Sequence, residues 1–205
     1  MPTTPRALRG EPFVFVGGLL VLDLLNTRPR PPAKATEFLR TTSDLAAWAE
    51  AAELPYAASL RAELRAAGHA VTLTDMRTLR ERIRAGLEGW QSGAIDSSLL
   101  DGLNVALARG PRFLQLRRTP RGVAGVLMSD AGAVDRLFAD VARSAAQLLL
   151  KRDPRRFKQC EGPTCSLVFY DESKPRTRRW CSMAFCGKDA KVNSLSARRH
   201  SDRAP

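Results

Sequence analysis

The residues best placed to do chemistry are the four cysteines. Cys160, Cys165, Cys181 and Cys186 stand as two C-x4-C pairs separated by fifteen residues, and they are all the cysteines the chain has. Two short loops that each offer a pair of thiolates, joined by a segment that doubles back, build a tetrahedral sulfur cage for zinc, and a gap of four stays within structural zinc spacings. The alternative is two disulfides, which persist only in oxidising compartments. Met1–Gly10 carries Arg6 and Arg9, but Gly17, Gly18 and Asp23 interrupt the apolar stretch from Phe13 to Leu25, so no secretory leader is read there. No run of eighteen apolar residues occurs, so no membrane partner is expected. A cytoplasmic location with reduced thiols follows, and one structural Zn2+ is the expected cofactor. Four sulfurs leave no open coordination position, so the ion is structural rather than catalytic.

The stretch from Arg179 through Trp180, Cys181, Ser182, Met183, Ala184, Phe185, Cys186, Gly187, Lys188, Asp189, Ala190 and Lys191 to Val192 resembles the CGNR zinc finger. That module is named for a Cys-Gly-Asn-Arg tetrapeptide and follows a bacterial domain called ABATE. The segment Phe15–Thr27 is similar to the entry of that domain. The two resemblances together span nearly the whole chain and imply a regulator of transcription in the stress response. Where the family has Asn-Arg after Cys-Gly, Lys188 and Asp189 stand here, which removes any nucleic-acid contact the arginine would make.

Charge points in the same direction. The formal net charge is +12, and four thiolates on one divalent ion would bring it to about +10. Residues 151–205 hold 14 Lys+Arg against 6 Asp+Glu, while the first 150 hold 19 against 15. A surplus gathered at one end suits a polyanion, DNA first and RNA second. Arg176, Arg178, Arg179, Lys188, Lys191, Arg198 and Arg199 are the expected phosphate contacts, the last four on a helix expected over 188–199.

The elements that must position these residues are mostly helical. Phe13–Val16 reads as a short strand, and Gly17-Gly18 turns it into a second apolar segment, Leu19–Leu25, of strand or helix type. Asp23, Asn26, Thr27 and Arg28 then either line a small-ligand pocket or cap and turn the local backbone. Arg28–Pro32 is an extended linker.

Helices are expected over 44–53 with Ser43 as N-cap, from Pro55 to Gly68, from Thr74 to Trp90, and from Asp96 or Ser97 to Gly110 with Leu100, Leu103 and Leu107 inward. The longest is expected over 131–151. The stripe Met76, Leu79, Ile83, Leu87, Trp90 faces the core of the third, and its arginines and glutamates face solvent. A hairpin over 113–128 is expected to join the N-terminal strands. His69 suits a helix end, and His200 is redundant beside four cysteines.

The fold class is therefore α+β, mostly α. A helical N-terminal domain with a small antiparallel sheet spans 1–153, and a C-terminal four-cysteine zinc finger of treble-clef or ribbon type spans 154–205. Trp180 and Phe185 are expected to screen the cage. A DNA-binding regulator with a small-molecule or protein effector, acting as a monomer or a homodimer, is the first reading. A zinc-stapled interaction or dimerisation module is the second. An enzyme using Asp23 and Asn26 is the third, without a nucleophile elbow, P-loop, dinucleotide fingerprint or paired histidines to support it.

Overall fold

The computed structural model describes residues 13–30, 36–66 and 70–188. By its contacts the chain divides into two compact units, one of residues 1–40 with 152–205 and one of residues 41–151. The first unit is therefore made from both ends of the sequence.

The unit 41–151 is helical. Helix α2 (Thr42–Ala51) starts one residue before the expected cap: Thr41 accepts from the Asp44 N–H while Asp44 accepts from the Thr41 N–H, a reciprocal capping box. Helix α3 (Ala57–Ala66) follows Tyr56, and α4 (Ala70–Gln91) follows α3. The expected stop at Gly68 and His69 beside it lie outside the described residues. Helix α5 (Ser97–Arg109) is capped by Asp96. Strands β1 (Phe113–Thr119) and β2 (Gly122–Met128) form an antiparallel hairpin, and α6 (Ala133–Lys151) closes the unit. Its first free N–H groups, at Ala133 and Val134, are bound by both oxygens of Glu63 from α3 at 2.7 and 3.0 Å, the placement a helix N-terminus favours for an anion.

Several expectations change here. Thr74 lies inside α4, because Thr72 and Leu73 are buried and packing carries the helix back to Ala70. That makes α4, at 22 residues, longer than α6, at 19. The inward stripe of α4 is as read, but its opposite face is only partly solvated: Arg80 and Arg84 are buried and both hold Glu81. Helix α4 packs against α2, α5 and α6, so long side chains on several of its faces are covered. On α5, Leu99 rather than Leu100 turns inward, against Gly86, where a Cβ would lie 2.4 Å from Leu99 Cδ2. The hairpin does not join the N-terminal segment; β1 and β2 make a two-stranded sheet of their own.

The unit of both termini carries α1 (Leu20–Leu25), a 3-10 turn (Pro154–Arg156), strands β3 (Phe157–Gln159) and β4 (Val168–Tyr170), and a π-helical turn (Met183–Gly187). Leu19–Leu25 is thus helix, not strand. No helix among the described residues is long and apolar enough to cross a membrane.

Candidate metal centre

Strand β3 delivers Cys160 at its end, and the Cys160 N–H bonds the Leu167 carbonyl at 2.8 Å to close a loop carrying Cys165. Inside that loop the Cys165 N–H turns back to the Gly162 carbonyl. A side chain at Gly162 would be crowded: a Cβ would sit 3.1 Å from Cys165 Cβ and 3.2 Å from Cys186 Sγ. Of the second pair, Cys186 lies in the π-helical turn and Cys181 just before its N-cap, Ser182, whose hydroxyl caps the turn. The Cys181 N–H points at Cys160 Sγ, 3.2 Å away, and joins the two knuckles.

All four sulfurs lie within 4.8 Å of one another, with Cys165–Cys181 at 3.8 Å and Cys181–Cys186 at 3.6 Å. A disulfide needs about 2.05 Å, whereas a tetrahedron with Zn–S near 2.3 Å has edges of about 3.8 Å. The donor set and spacing fit zinc. Left without a cation, the thiols resist joint ionisation. Sharing the Cys181 proton draws Cys165 down to about 5, whereas burial and then the Cys165 charge push Cys186 up to about 12. A divalent cation at the centre favours the thiolate forms. One structural zinc held by these residues is what the site is built for.

The cage rests on a core of Val16, Phe169, Cys160 and Cys181, against which Val14, Leu167 and Trp180 pack. Phe185, by contrast, is exposed, because the π turn directs Gly187 inward instead. Trp180 alone of the two expected aromatics shields the sulfurs.

The N-terminal segment completes this small sheet. Strand β4 pairs with β3 on one side, and in an antiparallel ladder alternate residues direct their N–H and C=O groups to the other side. Those outward groups are met by residues 13–27. The Asn26 side chain donates to the Val168 carbonyl at 3.0 Å and accepts from the Val168 N–H at 2.8 Å, standing in for a peptide of a third strand. The Gly17 carbonyl accepts from the Tyr170 N–H. Gly17 is fixed in turn by its N–H to Asp23 Oδ1 at 2.8 Å, and a Cβ there would lie 2.6 Å from Leu22 Cβ.

The CGNR zinc finger model matches residues 156–199, and the model of ABATE, described as "Putative stress-induced transcription regulator", matches residues 18–152. The chain belongs to the ABATE family. It carries a CGNR zinc finger after its ABATE region, the order the sequence resemblance implies. No curated protein matches the chain.

In this ABATE protein three of the four residues read from sequence either as a ligand pocket or as caps of the local backbone bind backbone groups. Asp23, Asn26 and Thr27 are buried with their polar atoms on backbone, Thr27 on the Leu24 carbonyl at 2.6 Å, and Arg28 is exposed. The cleft beside the cage, about 250 Å³, is lined by Val16, Gly18, Tyr170, Arg178, Trp180 and Met183 among others, and by none of those four.

Among the basic residues, Arg178 departs most from its expected role. Its guanidinium bonds the carbonyls of Val16 (3.1 Å), Trp180 (3.1 Å) and Cys181 (2.5 Å) and lies 4.1 Å over the Phe169 ring. It ties the N-terminal segment to the second knuckle, with most of its donors on backbone carbonyls. Arg176 and Arg179 are exposed and ion-paired with Asp153 and Glu161. Lys188 is exposed, and Lys191, Arg198 and Arg199, with most of the expected helix 188–199, lie outside the described residues.

Sequence reading missed Asp171. Fully buried, it accepts from Lys158 Nζ at 2.7 Å, from the Ser173 hydroxyl and N–H, and from the Arg178 N–H. Burial alone would raise its carboxyl; the Lys158 ammonium and the Ser173 donors outweigh that and hold it at about 2.

Asp23 goes the other way. Burial pushes its carboxyl from 3.8 up to about 7, against the lowering effect of the Gly17 N–H. The folded state therefore binds the proton more tightly than the unfolded chain, so the stability Asp23 contributes is complete below pH 3.8 and is lost as pH rises through 7. Between pH 6 and 8.5 the loss is about 1.4 kcal/mol. Denaturant titrations of wild type and Asp23→Asn over that range should show a slope that the variant lacks. An unchanged slope would show that Asp23 is already ionised in the fold.

Proposed function

We propose that the protein is a cytoplasmic DNA-binding transcription regulator. Residues 154–205 engage DNA through a surface that zinc holds in shape, and the region up to residue 153 responds to a small-molecule or protein effector. The observation that carries this is the basic rim of the cage: Arg176 and Arg179 expose 49% and 60% of their side chains beside a surplus of eight positive charges in residues 151–205. Their ion pairs with Asp153 and Glu161 are surface pairs of the kind worth at most about 1 kcal/mol, which a phosphate can displace. Family membership supports regulation, and a cage of four sulfurs supports a role without catalysis. A cleft of about 240 Å³ between α4 and α5, where Leu79, Val105 and Phe138 meet Arg82 and Arg109, supports the effector role.

Binding to duplex DNA should weaken steeply with salt, log K falling by about three to five per log unit if four or five phosphates are contacted. Arg176→Ala and Arg179→Ala should each reduce that slope by about one. Binding that ignores salt, or none at low salt, contradicts the reading. The second reading, a zinc-stapled protein-interaction module, is favoured by the internal use of Arg178 and by Lys188-Asp189 in place of Asn-Arg. A protein partner retained at high salt in the absence of DNA binding would establish it.

A further inference from the structure

Glycine weakens the interior of a helix, because fixing it costs more conformational freedom than fixing alanine. Gly102 nevertheless stands midway along α5 and is buried. The space its missing side chain leaves is filled from α4: a Cβ there would lie 2.7 Å from both Cδ and Nη1 of Arg82. The glycine thus lets a guanidinium settle at one end of the cleft of about 240 Å³ between the two helices. Arg82 is exposed and, among the described residues, bonds no acceptor. Glu81, its neighbour in sequence, is held by Arg80 and Arg84, and Asp101 beside Gly102 does not line the cleft.

Arg82 meets Gly102 and Gly86 meets Leu99, so α4 and α5 run antiparallel, and Arg109 lies at the opposite end of the cleft with Asp75. Between the ends the lining is apolar, with Leu79 and Ala106 buried and Val105 70% exposed at the rim. Arg109 is committed: its guanidinium lies 3.7 Å over the Phe138 ring and bonds Asp135 at 2.7 Å. Asp75 stands two helical turns from Arg82, about 10 Å along the axis. With the Arg109 charge offset by Asp135, that carboxylate disfavours a second negative group at its end. The cleft therefore suits one anionic group at Arg82 and an apolar body beyond it. An apolar cavity of about 150 Å³ holds a benzene ring, so the volume here takes one ring with a carboxylate attached. We propose that this cleft binds a small organic monoanion, a carboxylate on an apolar body about the size of one ring, with Arg82 as the residue that holds the carboxylate. The site gives the effector role proposed above a chemical class, and it rests on that reading for any effect on DNA.

Benzoate, titrated at constant ionic strength into the full-length, zinc-loaded protein and followed by amide chemical shifts, tests it. The amides of Leu79, Gly102 and Val105 should move with a Kd on the order of a millimolar. Benzamide, which keeps the ring and loses the charge, and acetate, which keeps the charge and loses the ring, should each bind about tenfold more weakly. Arg82→Gln should weaken benzoate by about the same factor. Gly102→Ala should push the guanidinium out of its seat and weaken benzoate several-fold while raising the unfolding midpoint, since only the flexible end of Arg82 has to move. No shift at those amides up to about 20 mM benzoate, or wild-type affinity in both variants, overturns the proposal. Duplex-DNA affinity measured with and without benzoate separates the site from the effector role: binding in the cleft that leaves that affinity unchanged upholds the site and contradicts the role.

Discussion

Cys181→Ser is expected to release the zinc and unfold the unit made of residues 1–40 and 152–205, while the helices of 41–151 persist. Zinc binding to small Cys-ligated fingers is worth about 10–16 kcal/mol at neutral pH, and in so small a core it is folding free energy. Cys181 is the ligand whose loss does most damage. Its sulfur is the shared neighbour of Cys165 and Cys186, its N–H bonds Cys160, and its carbonyl holds Arg178. Changing a group that merely supports a ligand costs ten- to a hundredfold in metal affinity, so removing this one should cost more. The readouts are bound zinc after gel filtration and Trp180 fluorescence. Helical circular dichroism should fall only modestly, since α2–α6 have a separate core. Full zinc occupancy in Cys181→Ser would mean that the cage is not what holds the metal.

Asn26→Ala is expected to weaken the same unit from 142 residues away. The substitution leaves the N–H and C=O of buried Val168 without partners. Each such group costs about 1–3 kcal/mol, so the unit should lose about 2–6 kcal/mol. The loss should appear as a lower unfolding midpoint and as faster transfer of zinc to a chelator, although Asn26 touches no sulfur. Asn26→Asp keeps the acceptor for the Val168 N–H but buries a carboxylate against the Val168 carbonyl, and at neutral pH should be at least as destabilising as alanine. Wild-type zinc release in both variants would show that the N-terminal segment lies beside the finger without supporting it.

What the sequence made legible was local. The cage was readable because ligand spacing is a property of a few adjacent residues, and the stripes of α4 and α6 because helical period needs only a short window. The amide of Asn26 was not readable in its role, since it completes a strand that arrives 142 residues later and looks in isolation like a turn residue. Arg178 stands in the run Arg176-Thr177-Arg178-Arg179, where composition cannot separate the guanidinium that turns onto carbonyls from its exposed neighbours. Arg80 and Arg84 misled for a related reason: a charged helix face reads as solvated until other helices are known to cover it. Leu99 and Leu100 differ by one step of about 100° on α5, which the apolar pattern leaves open and the packing against Gly86 decides.

The shape of the C-terminal surface rests on sulfur ligation, and zinc K-edge absorption on purified wild type and Cys181→Ser addresses it directly. One zinc per wild-type chain with four sulfur neighbours at about 2.3 Å, lost from the variant, is the expected result. Less than stoichiometric metal, or a shell of nitrogen and oxygen, would contradict it.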